Sequence, residues 1–271
     1  MNFWSRWLDD VNTGVEFGEL LAAERATPGV RVQVRRLNKF FGMHHILRDL
    51  DLQVDSGETF VIFGPSGCGK SVLLKHIMGL LAPDSGQILV DGEELHTGEA
   101  RRRFRMAMVF QSSALFNSLT VGENVGLWLK EHRVCEPEEI ARIVTEKLAL
   151  VGLGGTERAM PAELSGGMKK RVSIARALAV SPHLILYDEP TAGLDPVLTE
   201  QIGHVIAELK QLRITSLVVT HDLNLGYAVA DRLGMIHEGR LIQVGTPEEI
   251  RATVNPVVRA FISTQMKILA K

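Results

Sequence analysis

Gly64, Pro65, Ser66, Gly67, Cys68, Gly69, Lys70 and Ser71 follow the spacing G-x-x-x-x-G-K-[ST]. Glycines so placed let backbone N–H groups turn inward around phosphate oxygens. The lysine then reaches the β- and γ-phosphates, and the Ser71 hydroxyl is a ligand for Mg²⁺. A second chemical group is Asp188-Glu189, which ends the apolar run Leu184 to Tyr187. Carboxylates at the carboxyl end of a parallel strand face the crevice where ligands bind. Asp188 is placed to hold Mg²⁺, and Glu189 to act as general base for an attacking water. His221 ends the strand-like run Ser216 to Thr220, where an imidazole reaches a γ-phosphate. Gln111 follows Met108-Val109-Phe110, with reach to Mg²⁺ or the attacking water. Taken singly these are solvated acids, a structural histidine and a polar turn residue. The phosphate loop beside them favours the chemical reading.

A second anion-holding element lies downstream, in LSGGMKKRVSIARAL (164–178). Ser165, Gly166 and Gly167 open a helix whose apolar side includes Val172, Ala175 and Leu178. Its first amides and the positive end of its dipole favour an anion. Lys169, Lys170 and Arg171 stand in the first turns, where cations are disfavoured. A helical stretch over roughly 112–163 separates this element from the phosphate loop. It is therefore expected to serve another chain's phosphate. A head-to-tail pair with two-fold symmetry would close each LSGG over the ATP of its partner.

These residues need a sheet edge to gather them. Alternating or continuous apolar runs at 30–34, 46–54, 58–64, 86–92, 183–190 and 214–222 predict strands, and 232–245 predicts a hairpin around Glu238-Gly239. Leu73, Leu74, Ile77 and Leu81 predict a helix over 71–81. Thr120 and Glu123 form a capping-box pattern before Val121, Val125 and Leu129, and a further helix follows Pro137. Strands alternating with helices imply an α/β fold with a parallel sheet. The expected layout is an N-terminal extension (1–29), a nucleotide domain (30–250) with a helical subdomain at about 112–180, and a C-terminal helix (251–271).

Of the 271 residues, 45% are apolar, and the net charge is −2, which gives no prior for nucleic acid through bulk charge. The two cysteines, Cys68 and Cys135, do not make a disulfide framework. Cys68 stands beside Lys70 and a helix N-terminus, which lower a thiol pKa, but the favoured reading is a tolerated small residue. No run reaches 18 apolar residues, and the N-terminus lacks the pattern of a secretory signal. A soluble, cytoplasmic chain is expected, reaching a membrane only by docking on a partner. Trp4, Trp7, Leu8 and Val11 form one helical stripe in a segment with five acids and two bases.

The order of GPSGCGKS, Gln111, LSGGM, LILYDEP, GLDP (193–196) and His221 resembles the ATPase subunit of ATP-binding-cassette (ABC) transporters over about residues 30–250. The resemblance implies a P-loop core with an antiparallel β subdomain and an inserted helical subdomain. It implies ATP and Mg²⁺ as ligands, a second copy of the subunit, and an integral membrane permease at the cytoplasmic face of the inner membrane. It assigns Phe41 to stacking on adenine, with Phe40 as rival, Asp195 to the dimer interface, and His221 to a switch. It also implies that a groove near Gln111, including Phe116 and Leu119, receives the permease. Met168, where most signatures have glutamine, together with FQSSALFNSLTVGENV and NPVVRAFI, looks like the Mla-type, MCE-associated phospholipid transporters. An MCE-domain lipid-binding protein is then the implied third partner. Small-solute importers share the same catalytic motifs. Soluble ABC ATPases usually show coiled-coil heptads or two cassettes, and neither is seen here.

Overall fold

The computed structural model describes residues 28–97 and 103–269. The stripe from Trp4 to Val11 lies outside them. Strands β1 (Val32–Phe41), β2 (His44–Val54), β4 (Ser85–Val90) and β5 (Glu93–Glu94) form an antiparallel sheet in the order β2-β1-β4-β5. The second sheet contains β3 (Thr59–Phe63), β6 (Met106–Val109), β7 (Leu184–Asp188), β8 (Thr215–Val219), β9 (Arg232–His237) and β10 (Arg240–Gly245). Its order is β10-β9-β3-β8-β7-β6, parallel except for the β9–β10 hairpin.

All residues of β3, β7 and β8 are buried, because both faces of this sheet are covered. Alternate residues divide between two cores. Val61, Phe63, Ile185, Tyr187 and Val218 face one side, where most of the helices pack. Phe60, Ile62, Leu184, Leu186 and Leu217 face the other, against β1, β2, β4 and helix α1 (Lys70–Ile77). Each such side chain contributes roughly 1.5–3 kcal/mol on burial.

Helix α1 is shorter than the apolar spacing predicts. Gly79, at φ +71°, breaks the spiral, and the Leu80 and Leu81 amides fold back onto the Lys75 carbonyl. Leu80 is left exposed.

Helices α2 (Val121–Glu131), α3 (Pro137–Leu150) and α4 (Gly166–Ala179) form the layer between β6 and β7 in the chain. The expected capping box opens α2: Thr120 Oγ1 accepts from the Glu123 amide, and Glu123 Oε2 from the Thr120 amide. Helices α5 (Pro196–Leu209) and α6 (Leu223–Val229) follow β7 and β8. Helices α7 (Pro247–Arg251) and α8 (Pro256–Leu269) follow β10. Phe261 of α8 packs its ring 5.8 Å from that of Phe63, beneath the phosphate loop. Among the described residues no helix is long and apolar enough to cross a membrane.

Parallel register brings four strand ends to one edge. Ile62 and Asp188 both pair with Val219, and Val109 pairs with Tyr187. The segments that follow, at Gly64, Gln111, Glu189 and His221, therefore share the carboxyl edge of the sheet.

Candidate active site

The loop after β3 wraps the Lys70 ammonium. Nζ donates to the carbonyls of Gly64 at 2.9 Å and Pro65 at 3.0 Å, and lies 3.9 Å from Glu189 Oε1. Two glycines are dictated by space. A Cβ at Gly64 would sit 2.2 Å from the Ile236 carbonyl oxygen, and one at Gly69 would sit 2.8 Å from Leu47 Cδ2. Gly69, at φ +107°, is the N-cap of α1 and offers no side chain, so the first amides of the helix carry no cap. An anion is their natural acceptor.

Asp188 ends β7 and accepts the Ser71 hydroxyl at 2.7 Å. This couples the phosphate loop to the acidic strand end across 117 residues of sequence. Two hard oxygen ligands side by side suit Mg²⁺, which takes its remaining ligands from water and substrate phosphates. No cluster of three acidic, histidine or cysteine side chains able to hold a metal occurs among the described residues, so phosphate oxygens would have to complete such a site.

Glu189 adopts φ +48°, a left-handed backbone that a glutamate holds only at a cost. Its amide donates to Val219 O, and its carboxylate is held from both sides. His221 Nδ1 lies 2.8 Å from Glu189 Oε2, and the His221 amide donates to the same oxygen. A carboxylate only accepts, so this contact is a hydrogen bond in the tautomer that carries its proton on Nδ1.

A cavity of about 380 Å³ opens over these groups, lined by Phe41, Ile46, Ser66, Gly67, Gly69, Lys70, Ser71, Val72, Gln111, Glu189 and His221. Gly64, Pro65 and Cys68 lie outside that lining. Phe41 is half exposed on the cavity, whereas Phe40 turns away and stacks on His45 at 3.9 Å. Cys68 is not an activated thiol: burial pushes its pKa up, and the nearby Lys70 offsets only part of this.

Ser165, Gly166, Gly167 and Asp195 do not line the cavity. Ser165 caps α4, accepting from the Met168 amide at 3.2 Å, and Gly167 packs against Leu198. Asp195 caps α5, accepting from the Leu198 amide at 2.9 Å, and stays exposed. The cations of α4, oddly placed in sequence, find carbonyls. Lys170 reaches Gln111 O, and Arg171 lies at hydrogen-bond range of Val151 O. Burial lowers the Lys170 pKa, and attraction to Asp188 and Glu189 offsets part of that.

Three residues shape the Gln111 segment, of which the sequence marks only Lys170, as a misplaced cation. Arg176 donates to Ala114 O and Ser113 O. Asn124, fully buried, donates to the carbonyls of Phe116, Leu119 and Thr120 and accepts from the Phe116 amide. Lys170 is the third. Their signal is faint in sequence, because each reads only main-chain atoms. Beside this segment runs a groove of about 860 Å³ lined by Phe104, Met106, Phe110, Phe116, Trp128 and Arg176, among others. Phe116 belongs to it as expected. Leu119 does not, being half-buried under the Asn124 clamp.

A phosphate loop, a strand-end acid pair and a helical layer between two strands of a parallel sheet define an ATP-binding cassette. Residues 47–192 match the ABC transporter family model, and the chain belongs to that family. It is an ATP-binding subunit whose hydrolysis of ATP is coupled to transport. The chain is 40% identical over 263 residues to the probable ribonucleotide transport ATP-binding protein mkl of Mycobacterium tuberculosis, covering 95% of this chain and 73% of that one. It is 40% identical over 252 residues to the chloroplastic protein trigalactosyldiacylglycerol 3 of Arabidopsis thaliana, covering 86% and 73%. A solved dimeric ATP-binding cassette in a post-hydrolysis state, bound to ADP and Pi, superposes with a TM-score of 0.72. It is 31% identical, covering 80% of this chain and 98% of that one.

Proposed function

We propose that this chain powers lipid transport through a separate permease, working as a head-to-tail pair at the cytoplasmic face of the inner membrane. In this reading ATP lies in the cavity, with adenine on Phe41 and phosphates over Gly64 to Ser71. Lys70 neutralises the β- and γ-phosphates. Ser71 and Asp188, with Gln111, would hold Mg²⁺, which supplies charge neutralisation at the phosphates. Glu189 takes a proton from the attacking water. His221 orients that carboxylate and reaches the γ-phosphate. Ser165, Gly166 and Gly167 complete the partner's site, and Asp195 lies at the interface. The placement of Ser165 to Gly167 outside their own chain's cavity carries this part. It is supported by the dimeric form of the solved cassette.

ATP can drive a permease only through unequal affinity for the closed and open pair. The apolar groove beside Phe116 and Trp128 suits a short amphipathic permease helix. The lipid reading rests on the Met168-containing signature and its flanking segments. It is supported by a relative named for a galactolipid. Small-solute import is the second reading, favoured by an Fe(3+) import ATP-binding protein of Escherichia coli, FbpC, 40% identical over 220 residues.

Two experiments test the proposal. Glu189→Gln should retain nucleotide binding and lose turnover by roughly 10²–10⁴-fold; normal turnover would remove Glu189 as base. Purification from native membranes with mass spectrometry of partners should yield a permease, an MCE-domain protein and phospholipid. A soluble solute-binding protein in their place would establish the second reading.

A further inference from the structure

We propose that Lys170 is a positioning residue that fastens the Gln111 turn to helix α4, so that this turn and Ser165 to Gly167 move as one body. The inference rests on the reading that Gln111 serves its own chain's nucleotide and Ser165 to Gly167 the partner's.

A buried lysine needs a partner, and a cation near a helix N-terminus opposes the helix dipole. Lys170 combines both disadvantages, being 4% exposed and near the start of α4. Its ammonium donates to the main-chain oxygen of Gln111. Arg176, two turns further along the same helix, donates to Ala114 O at 2.7 Å and Ser113 O at 3.0 Å. The held residues are themselves strained: Ser113 has φ +62° and Ala114 φ +47°, a backbone that surrounding structure must maintain. The turn is thus suspended from the helix that begins with the signature. Both clamps read main-chain carbonyls, so the Gln111 side chain stays free to line the cavity. Arrival of Gln111 at one nucleotide would then be tied to presentation of Ser165 to the other. Such a link makes the two sites of a pair fire together.

Lys170→Met keeps the length of the side chain and removes its donor; Lys170→Arg restores one. In the full chain without nucleotide, amide exchange at 111–115 should rise roughly tenfold or more in Lys170→Met and recover in Lys170→Arg. Exchange along 172–179 should not change. In the same proteins kcat should fall roughly tenfold in Lys170→Met while affinity for ADP stays within about twofold, with turnover recovered by Lys170→Arg. Unchanged exchange at the turn overturns the proposal. So does a rise spread evenly along α4, which marks a loosened helix, or an unchanged kcat. The underlying reading is checked apart from this: Glu189→Gln chains that fail to pair on ATP would refute the shared site and leave the exchange result intact.

Discussion

Helices α1 and α4 both begin with glycine and lysine, yet they solve the same electrostatic problem differently. At α1 the cap is Gly69, which blocks nothing, and the Lys70 ammonium folds back over its own loop onto the carbonyls of Gly64 and Pro65. The amides face a cavity that the same chain walls with Glu189 and His221. At α4 the cap is Ser165, whose hydroxyl takes up one amide itself, and Lys170 is drawn away to Gln111. On the proposed function, the first helix start is a finished anion site and the second is half of one. Closeness in sequence decides the geometric difference: the phosphate loop folds around its lysine within eight residues, whereas the lysine of α4 reaches a turn 59 residues away.

Mutations at the two helix starts break the comparison at different places. The largest effect is expected from Lys70→Ala, which should weaken nucleotide binding by roughly 10–100-fold, the value of a charged hydrogen-bonding group. Equilibrium titration of the purified chain measures it, and unchanged affinity would dissolve the distinction. Ser165→Ala should lower turnover by roughly 3–10-fold and cost about 1 kcal/mol of stability through the lost cap, while ATP affinity of a single chain holds. A fall in single-chain affinity would place the signature in its own chain's site. Cys68 gives a smaller signal. Its raised pKa leaves less thiolate at neutral pH, so alkylation should run a few-fold slower than for an unhindered thiol and keep gaining rate with pH after that thiol's rate has levelled off. Met168→Gln should change turnover by less than about twofold, since the side chain packs partly on the core and Ser165 contacts only its amide.

The gathering of Lys70, Ser71, Gln111, Glu189 and His221 around one cavity was legible because it is written in short spacings. GPSGCGKS specifies its own turn, and apolar runs ending in Asp188, His221 or Gln111 place those residues at strand ends. Phe41 was separable from Phe40 only in three dimensions, where the β1–β2 pairing turns one ring to the cavity and stacks the other on His45. Arg176 and Asn124 left little trace, and Lys170 showed only as a misplaced cation, because the carbonyl oxygens they hold have no residue type. The helix over 71–81 was overextended because Leu81 kept the apolar period; Gly79 was the stop signal. For Cys68 the raised pKa goes against an activated thiol and leaves the reading of a tolerated small residue standing; its charge neighbours are visible in sequence and its burial is not.

The position of β3 also has a consequence for synthesis on the ribosome. The strand that feeds the phosphate loop lies between β8 and β9, each more than 150 residues later in the chain. At about 5–20 residues per second, roughly 10–30 s separate translation of Lys70 from that of the strands that lock its loop. Through that interval Thr59 to Phe63 is a newborn apolar segment without its neighbours. Slowing translation between residues 70 and 215 should therefore lengthen its exposure to chaperones and to aggregation.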